Sequence, residues 1–457
     1  MNKSNIHFSK LFIRGEASFG VWNIAGKGLA FSNSLIVIKY LSLYEYGVYQ
    51  LVLAFSGLVG SFFLKILTSV TLNDILRFIG EHREDLAKRL YHQYALLKII
   101  ISIIVFFFVY AGADVIAKYY DENVASFFRI ISFMFLIDTI YNLVKIVLEA
   151  RLRLGLIASR PAVYQFIRLA LLMGAIFIFD KFGIREILVV HVFSATIALM
   201  VIIRPFWKQY ILWSGVYSSH ENVLLDILKA HGKWSIIRPM IVGFSDNMRP
   251  WLIKLFVSTE AVAIVSVASV MLSVVKSVLP VNTLTYLVPL RIGDKEQSRK
   301  ILSYSLKYMA FLSIILASVA SIAAAYLVPI FIPQYNNVLG IFFIMLISLP
   351  LSGIGSVVAT FLIALRKQKY LFYQMISKSI FTFATTLALL PFFGIWGIAI
   401  ETVATALFVL ILIYVYIKKF GGLGFAIDWK TALSFSKTDK EFTSAVFSEI
   451  RQLIARK

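Results

Sequence analysis

Charged side chains that interrupt long apolar stretches are the residues of this sequence with the clearest chemical potential. An ionised group at the centre of a bilayer costs about 2.5–3.5 kcal/mol on insertion scales, so each one requires an explanation. Five bases lie more than one helical turn inside the apolar stretches: Lys27, Arg168, Arg249, Lys276 and Lys378. Because basic groups in a low-dielectric cavity attract phosphate and other anions strongly, these five are candidate substrate ligands.

Acidic side chains inside the apolar stretches are fewer, namely Asp138, Asp246 and Glu401. A carboxylate there can bind a proton or a coupling cation. Asp246 precedes Arg249 by one helical turn, so a local ion pair is an equal alternative for these two residues. For His191, a neutral histidine hydrogen-bonded between helices is favoured over a titrating group. The excess of bases over acids favours an anionic cargo.

Another group of bases lies closer to the ends of the apolar stretches. Long Lys and Arg side chains at such positions can extend to the membrane interface, a behaviour called snorkelling. This interpretation covers Lys39, Lys98, Arg129, Lys145, Lys254 and Lys307. We therefore expect no direct role in substrate binding for these residues.

The elements that position these charges are predicted from composition. Hydrophobic residues make up 60% of the 457 residues and charged residues 15%, whereas a soluble domain has about 45–50% and 25%. Many apolar runs approach the ~20 residues that span a bilayer. The sequence predicts an all-α integral membrane protein with about twelve transmembrane helices. The predicted spans are Phe19–Tyr40, Tyr46–Leu67, Tyr94–Ala113, Val124–Val147, Pro161–Phe179, Ile184–Ile203, Trp234–Val257, Ala261–Asn282, Leu306–Phe331, Leu339–Leu365, Leu371–Pro391 and Ile395–Ile417.

The distribution of the net charge of +21 predicts the orientation of the chain. Bases concentrate in every second loop, as in Arg77–Arg89, whereas intervening loops such as Ser258–Glu260 have none. By the positive-inside rule both termini are cytoplasmic, and a nucleic-acid partner is not expected. The polar stretch Asn73–His92 is predicted to be a cytoplasmic helix that does not span the membrane.

Catalytic and metal-binding signatures are missing from the sequence. The chain has no Cys, no Gly-rich phosphate loop followed by Lys and Ser or Thr, and no HExxH motif. It also has no extramembrane stretch long enough for a separate domain. We therefore expect neither an enzyme nor a resident cofactor or metal.

An internal repeat relates the two halves of the chain. Arg160–Gln165 leads through one span to Phe182-Gly183-Ile184, and Lys369–Gln374 leads through one span to Phe393-Gly394-Ile395. This repeat predicts two pseudo-symmetric bundles of about six helices in parallel orientation, enclosing a central cavity. The predicted organisation is a cytoplasmic N-terminus (1–18), an N-terminal bundle (19–205), a cytoplasmic linker (206–233), a C-terminal bundle (234–417) and a cytoplasmic tail with an amphipathic helix (418–457).

Several short motifs resemble the bacterial polysaccharide flippases of the O-antigen type. These belong to the superfamily that also contains the multidrug and toxic compound extrusion exporters. The resemblance rests on Lys39–Tyr49, Glu149–Arg160, Pro289–Asp294, Ala364–Gln368 and Phe393–Gly397, and it extends over roughly Glu16–Lys419. The chain differs from the family in the seventh span, where Arg249-Pro250 replaces a common acid and Asp246 lies one turn earlier.

The resemblance implies alternating access in the bacterial inner membrane. The cargo would be an oligosaccharide linked to undecaprenyl diphosphate, moved from the cytoplasmic to the periplasmic leaflet. Membrane lipids and polysaccharide polymerase machinery would be its partners. Two alternatives remain open at this point: a cation- or proton-coupled drug antiporter of the same superfamily, and a membrane-embedded polymerase or ligase.

Overall fold

The computed structural model describes Trp22 and residues 25–118, 124–151, 153–179, 182–213, 215–216, 221–279, 295–365 and 367–420. Nearly all of these residues are helical, and none of them forms a strand. Helix α1 covers residues 25–40. The others are α2 Leu43–Val59, α3 Thr68–Gly80, α4 Glu84–Lys118, α5 Ala125–Ala150, α6 Leu154–Ile178, α7 Ile184–Tyr210, α8 Val223–Phe256, α9 Thr259–Val278, α10 Lys295–Phe331, α11 Val338–Leu346, α12 Ser348–Ala364, α13 Gln368–Phe393 and α14 Ile395–Phe420.

Ten helical segments of the described chain are long and apolar enough to cross a membrane. Helices α11 and α12 together form one of them. Large apolar side chains such as Phe108, Phe177 and Phe392 point away from the protein and are 75%, 83% and 84% exposed. Exposed apolar surface of this extent suits lipid rather than water. The predicted all-α membrane fold is confirmed. The predicted first and seventh spans correspond to α1 and to the charged helix α8.

The joint between α2 and α3 shows why one base is not a snorkelling side chain. Helix α2 continues into a π-helical turn, Gly60–Leu64, and Leu67 then adopts a φ of 63°. The ammonium group of Lys98 on α4 donates to the carbonyl oxygens of Leu64 (2.8 Å) and Phe63 (3.3 Å). The snorkelling interpretation is wrong for Lys98, because its charge satisfies carbonyls freed where the helix ends. It is also wrong for Lys307, which is buried.

Two helix boundaries differ from the sequence prediction for local reasons. The stretch Asn73–His92 is not one helix, because His82 adopts a φ of 59° and its second part begins the spanning helix α4. The span predicted over Leu339–Leu365 is interrupted at Ile347 between α11 and α12. Pro350, one turn further on, has no N–H to donate to Leu346, so the helical ladder is broken there.

The Phe-Gly-Ile repeat opens a helix in both halves. Helix α7 begins at Ile184, and the carboxylate of Glu186 accepts a hydrogen bond from the Gly183 N–H at 3.0 Å. Helix α14 begins at Ile395 after Gly394, whose φ of +55° lies in the left-handed region that favours glycine. The same tripeptide therefore precedes the beginning of a helix in both halves, although the backbone conformations at the two glycines differ.

The chain divides into two compact units. The first unit runs to Val274 and adds Ala324–Phe343 and Ser379–Glu401, and the second unit comprises Val275–Ala323, Ile344–Lys378 and the chain from Thr402. Within the second unit, Tyr370 and Tyr416 stack with ring centroids 3.6 Å apart. The bundle boundaries predicted from the sequence are a different division of the chain and stay a prediction. The predicted N-terminal segment (1–18) and the predicted tail with its amphipathic helix (418–457) lie mostly outside the described residues.

Small residues in the first unit allow α8 to approach α2 closely. A Cβ atom added at Gly57 of α2 would overlap the side chain of Asn247 on α8. One added at Gly243 of α8 would overlap Ser61 of the π-helical turn. Helix α8 is therefore held against the first half of the sequence by backbone proximity that only small side chains permit.

Candidate functional site

Arg168 lies on α6 within the first unit, where its guanidinium contacts a pair of tyrosines. Its Nη2 donates to the hydroxyl oxygen of Tyr49 on α2 at 2.8 Å. Tyr49 is buried, and its ring centroid lies 6.1 Å from that of Tyr46. The Nε atom of Arg168 is buried and has no hydrogen-bond partner among the described residues. Arg168 therefore keeps donor capacity that the surrounding protein does not use.

Arg160 is a second base in the same region, and it was not among the candidate ligands predicted from the sequence. Its guanidinium carbon lies 3.7 Å from the ring centroid of Tyr141 and 5.7 Å from that of Tyr164. Its Nε is likewise buried without a partner in the described chain. The Tyr164 hydroxyl lies 2.8 Å from Nδ1 of His191, so the favoured interpretation of His191 as a hydrogen-bonded histidine fits the structure. Tyr164, one helical turn after Arg160, was the only part of this arrangement that the sequence could have indicated.

Asp138 on α5 provides the negative charge of this region. Arg160 and Lys65 are the basic groups that interact electrostatically with its carboxylate. Within the described residues, this carboxylate makes no hydrogen bond and no ion pair within 4.0 Å. Lys65, at the end of the π-helical turn, is exposed, and its ammonium donates to the Ser61 hydroxyl at 3.3 Å. We call Lys65, Asp138, Arg160 and Arg168 the first-unit charge cluster.

Asn33 and Gln165 border this cluster and were missed by the sequence analysis. The Asn33 amide nitrogen donates to the Gln165 side-chain oxygen at 2.7 Å and to its carbonyl oxygen at 2.8 Å. Asn33 is fully buried on α1, so the pair fixes α1 against α6. Gln165 ends the Arg160–Gln165 segment of the internal repeat, as Gln374 ends Lys369–Gln374, and this recurrence was the available signal.

Arg249 and Glu401 contact each other, although Arg249 was predicted to bind substrate and Glu401 to bind a proton or a coupling cation. The guanidinium of Arg249 on α8 donates to the Glu401 carboxylate on α14 and to the Ile398 carbonyl oxygen at 3.2 Å. Asp246 is exposed one turn earlier on α8. The ion pair with Glu401 therefore replaces the local Asp246–Arg249 pair that the spacing suggested.

The remaining candidate bases are not brought into the first-unit charge cluster. Lys27 is exposed near the beginning of α1. Lys276 is half-buried in the last turn of α9, and Lys378 is exposed on α13. Both of these lysines belong to the second unit. Their role in substrate binding stays a prediction from the sequence.

The last question about the interior is whether its side chains could hold a metal ion. In the part of the chain that the structure describes, no group of three or more His, Cys, Asp or Glu side chains is placed to hold a metal ion. The fold and its interior together define a multi-pass helical membrane protein with charged and aromatic side chains in its core.

The chain belongs to a family described as polysaccharide biosynthesis protein, whose sequence pattern matches residues 12–290. This confirms the family resemblance stated on the sequence motifs. A search of curated proteins finds no match.

Solved structures share the fold at low sequence identity. The lipid II flippase MurJ, in an inward closed conformation, is 14% identical with a TM-score of 0.71, covering 91% of this chain and 89% of that one. An inward-facing multidrug resistance MATE transporter of the MOP superfamily is 13% identical with a TM-score of 0.63, covering 86% and 94%. The Vibrio cholerae MATE transporter VcmN is 15% identical with a TM-score of 0.56, covering 92% and 99%. The chain therefore shares its fold with these three proteins.

Proposed function

We propose that this protein is a flippase for a lipid-linked oligosaccharide. It moves a glycan unit attached to undecaprenyl diphosphate from the cytoplasmic to the periplasmic leaflet by alternating access. Two observations together carry the proposal. The chain belongs to a family of polysaccharide biosynthesis proteins. Its interior also contains arginines, such as Arg168, with buried N–H donors that no described residue accepts. The fold shared with a lipid II flippase supports the same class of cargo.

The physical need for such a protein follows from the chemistry of the cargo. A diphosphate and a polar glycan cannot cross the hydrocarbon core unaided, because their desolvation is unfavourable. Bases in a low-dielectric interior replace the lost hydration of the phosphates. The polyprenyl chain can remain in lipid while the polar part passes through the protein. The excess of basic over acidic groups in the interior matches an anionic cargo better than a cationic one.

The proposal includes a location and partners. We place the protein in the bacterial inner membrane, as the family resemblance implies. The distribution of bases in the loops places both termini in the cytoplasm. Its partners would be the lipid-linked oligosaccharide, membrane lipids and the polysaccharide polymerase machinery that uses the delivered units. A transporter of this kind needs no catalytic residue and no cofactor.

A cation- or proton-coupled antiporter of small molecules is the second candidate. Asp138 favours it, because its carboxylate lacks an ion-pair partner within 4.0 Å in the described part of the chain, and the MATE fold is shared. In proteoliposomes, an antiporter would show drug-dependent proton or sodium flux. A flippase would instead expose a fluorescent polyprenyl-diphosphate saccharide to a membrane-impermeant quencher.

The test in cells uses charge reversal at the candidate bases. In a strain that lacks the gene, single Glu variants of Lys27, Arg168, Lys276 and Lys378 are expected to abolish surface glycan while protein levels hold. Arg249 is left out of this test, because a carboxylate at that position would face the buried carboxylate of Glu401 and destabilise the fold. Lys145→Glu is the matched control, because Lys145 is a partly exposed base near a helix end. Normal surface glycan in all four variants would contradict the assignment of these bases. Export of no glycan by the wild type would contradict the function itself.

A further inference from the structure

We propose that the guanidinium of Arg249 is a tethered cation that fills a binding site for a sodium ion. The site consists of the Glu401 carboxylate and the Ile398 carbonyl oxygen on α14. Because the charge of Arg249 is attached to α8, it cannot leave the site as an exchangeable ion does. The inference goes beyond the proposed function, since it concerns the energy source of transport and not the cargo.

Two oxygen atoms of α14 lie beside one nitrogen atom of Arg249. Its Nη2 donates to the Glu401 carboxylate and, at 3.2 Å, to the carbonyl oxygen of Ile398. The two acceptor residues are about one helical turn apart, so α14 presents both oxygens at one place. Carboxylate and carbonyl oxygens are the ligands that hard metal cations prefer in proteins. The Nη2 atom therefore holds the position that a small cation would take.

The burial of the Glu401 carboxylate requires a positive charge beside it. Its side chain is 2% exposed, and an ionised carboxylate in such a place is strongly destabilised unless an opposite charge lies next to it. Either a bound ion or a basic side chain can supply that charge. A free ion loses translational freedom when it binds, whereas a side chain fixed to a neighbouring helix has already lost most of it. Arg249 therefore outcompetes a monovalent ion for the site.

Contacts next to Arg249 fix the helix that carries it. The Ser245 hydroxyl, one turn earlier on α8, donates to the carbonyl oxygen of Ser379 on α13 at 3.1 Å. The Asn247 side chain lies so close to α2 that a Cβ atom added at Gly57 would overlap it. Helix α8 is thus held by α2 and α13 near the point where Arg249 contacts α14. The guanidinium is therefore preorganised for its two acceptors.

A carboxylate that is already paired in this way cannot couple transport to an ion gradient. Coupling needs an ion that binds one conformation more tightly than the other and that leaves again. The charge of Arg249 stays with the protein through the whole transport cycle. Of the three acids that the sequence predicts to bind a coupling ion, Glu401 is thereby excluded, and Asp138 and Asp246 are left.

The experiment removes the tethered charge and measures whether sodium replaces it. The thermal unfolding midpoint of the full-length protein in detergent is recorded as NaCl replaces choline chloride, at constant ionic strength and mildly alkaline pH. Sodium should raise the midpoint of Arg249→Met by roughly 2–5 °C, because the ion binds the folded state alone. The wild-type midpoint should not change, because its site is already filled.

Two control variants separate a specific site from a general effect of salt. Arg249→Met combined with Glu401→Gln lacks the carboxylate, so its midpoint should not respond to sodium. Arg129→Met removes the partner of Asp114, whose side chain is 63% exposed, and water solvates that carboxylate without help from an ion. A sodium response in either control as large as that of Arg249→Met would overturn the proposal.

The remaining outcomes are equally distinct. In Arg249→Met, no response to sodium, or stabilisation by acidic pH alone, would show that the two oxygens do not form a sodium site. If this variant does not yield a single species on size-exclusion chromatography, the wild type and Glu401→Gln decide. A sodium-dependent rise in the wild type that Glu401→Gln abolishes would show that Arg249 exchanges with the ion, which overturns the proposal; a constant wild-type midpoint supports it. None of these measurements involves the cargo, so the proposed function can fail independently.

Discussion

The guanidinium of Arg249 on α8 is paired with the carboxylate of Glu401 on α14. The Glu401 side chain is 2% exposed and the Arg249 side chain 24% exposed. Arg249 also donates to the Ile398 carbonyl oxygen, which lies on the same turn as Glu401. Since a buried carboxylate without an opposing charge is strongly unfavourable, Arg249 serves first as the counter-ion of Glu401.

Removing the two partners of this pair should have unequal effects. Arg249→Gln removes the positive charge that faces the buried Glu401 carboxylate, so we expect a loss of roughly 3–5 kcal/mol in stability. Glu401→Gln leaves a base that is partly exposed, and its effect should be smaller. The measurement is the thermal unfolding midpoint of the purified protein in detergent.

The double variant Arg249→Met with Glu401→Met is the control for this prediction. Both charges are removed together, so most of the stability lost in Arg249→Gln should return. If the double variant were less stable than either single variant, the pair would not be a mutual charge compensation.

Gly47 on α2 is expected to be sensitive to the smallest substitution. A Cβ atom at this position would overlap the carbonyl oxygen of Thr259, at the beginning of α9. Because that obstacle is backbone, Gly47→Ala should lower stability by about 1–3 kcal/mol. Gly112→Ala on α4 is the matched control, since an added Cβ there meets nothing within 4 Å. Equal unfolding midpoints for the two variants would show that α2 and α9 separate easily.

Lys98 should hold the end of the π-helical turn in place. In Lys98→Met the carbonyl groups of Phe63 and Leu64 lose their charged donor, so amides between Gly60 and Leu67 should exchange hydrogen faster. The measurement is hydrogen–deuterium exchange with mass spectrometry in detergent. Lys145→Met is the control, because Lys145 forms only a half-exposed pair with Glu149 at 3.5 Å. Unchanged exchange in Lys98→Met would contradict the capping role.

Features that depend on local composition could be predicted from the sequence. Side-chain partners that come from distant parts of the chain could not. Apolar blocks and loop charges indicated the membrane helices, and the Phe-Gly-Ile repeat marked two helix starts. The partner of Arg249 could not be predicted, because Glu401 lies 152 positions away and Asp246 was the nearest acid. Arg160 could not be predicted as an interior base either, because its closest aromatic contact, Tyr141, lies on a different helix.

The topology predicted from loop charges can be tested directly, because the chain contains no native cysteine. Glu81, between α3 and α4, and Asn336, between α10 and α11, are both exposed positions for single cysteines. A membrane-impermeant maleimide applied to intact spheroplasts should label Asn336→Cys and spare Glu81→Cys, because loops rich in Lys and Arg stay in the cytoplasm. Detergent-permeabilised cells should show both thiols reactive, which controls for local accessibility. Labelling of Glu81→Cys alone in intact spheroplasts would reverse the proposed orientation, and with it the assignment of both termini to the cytoplasm.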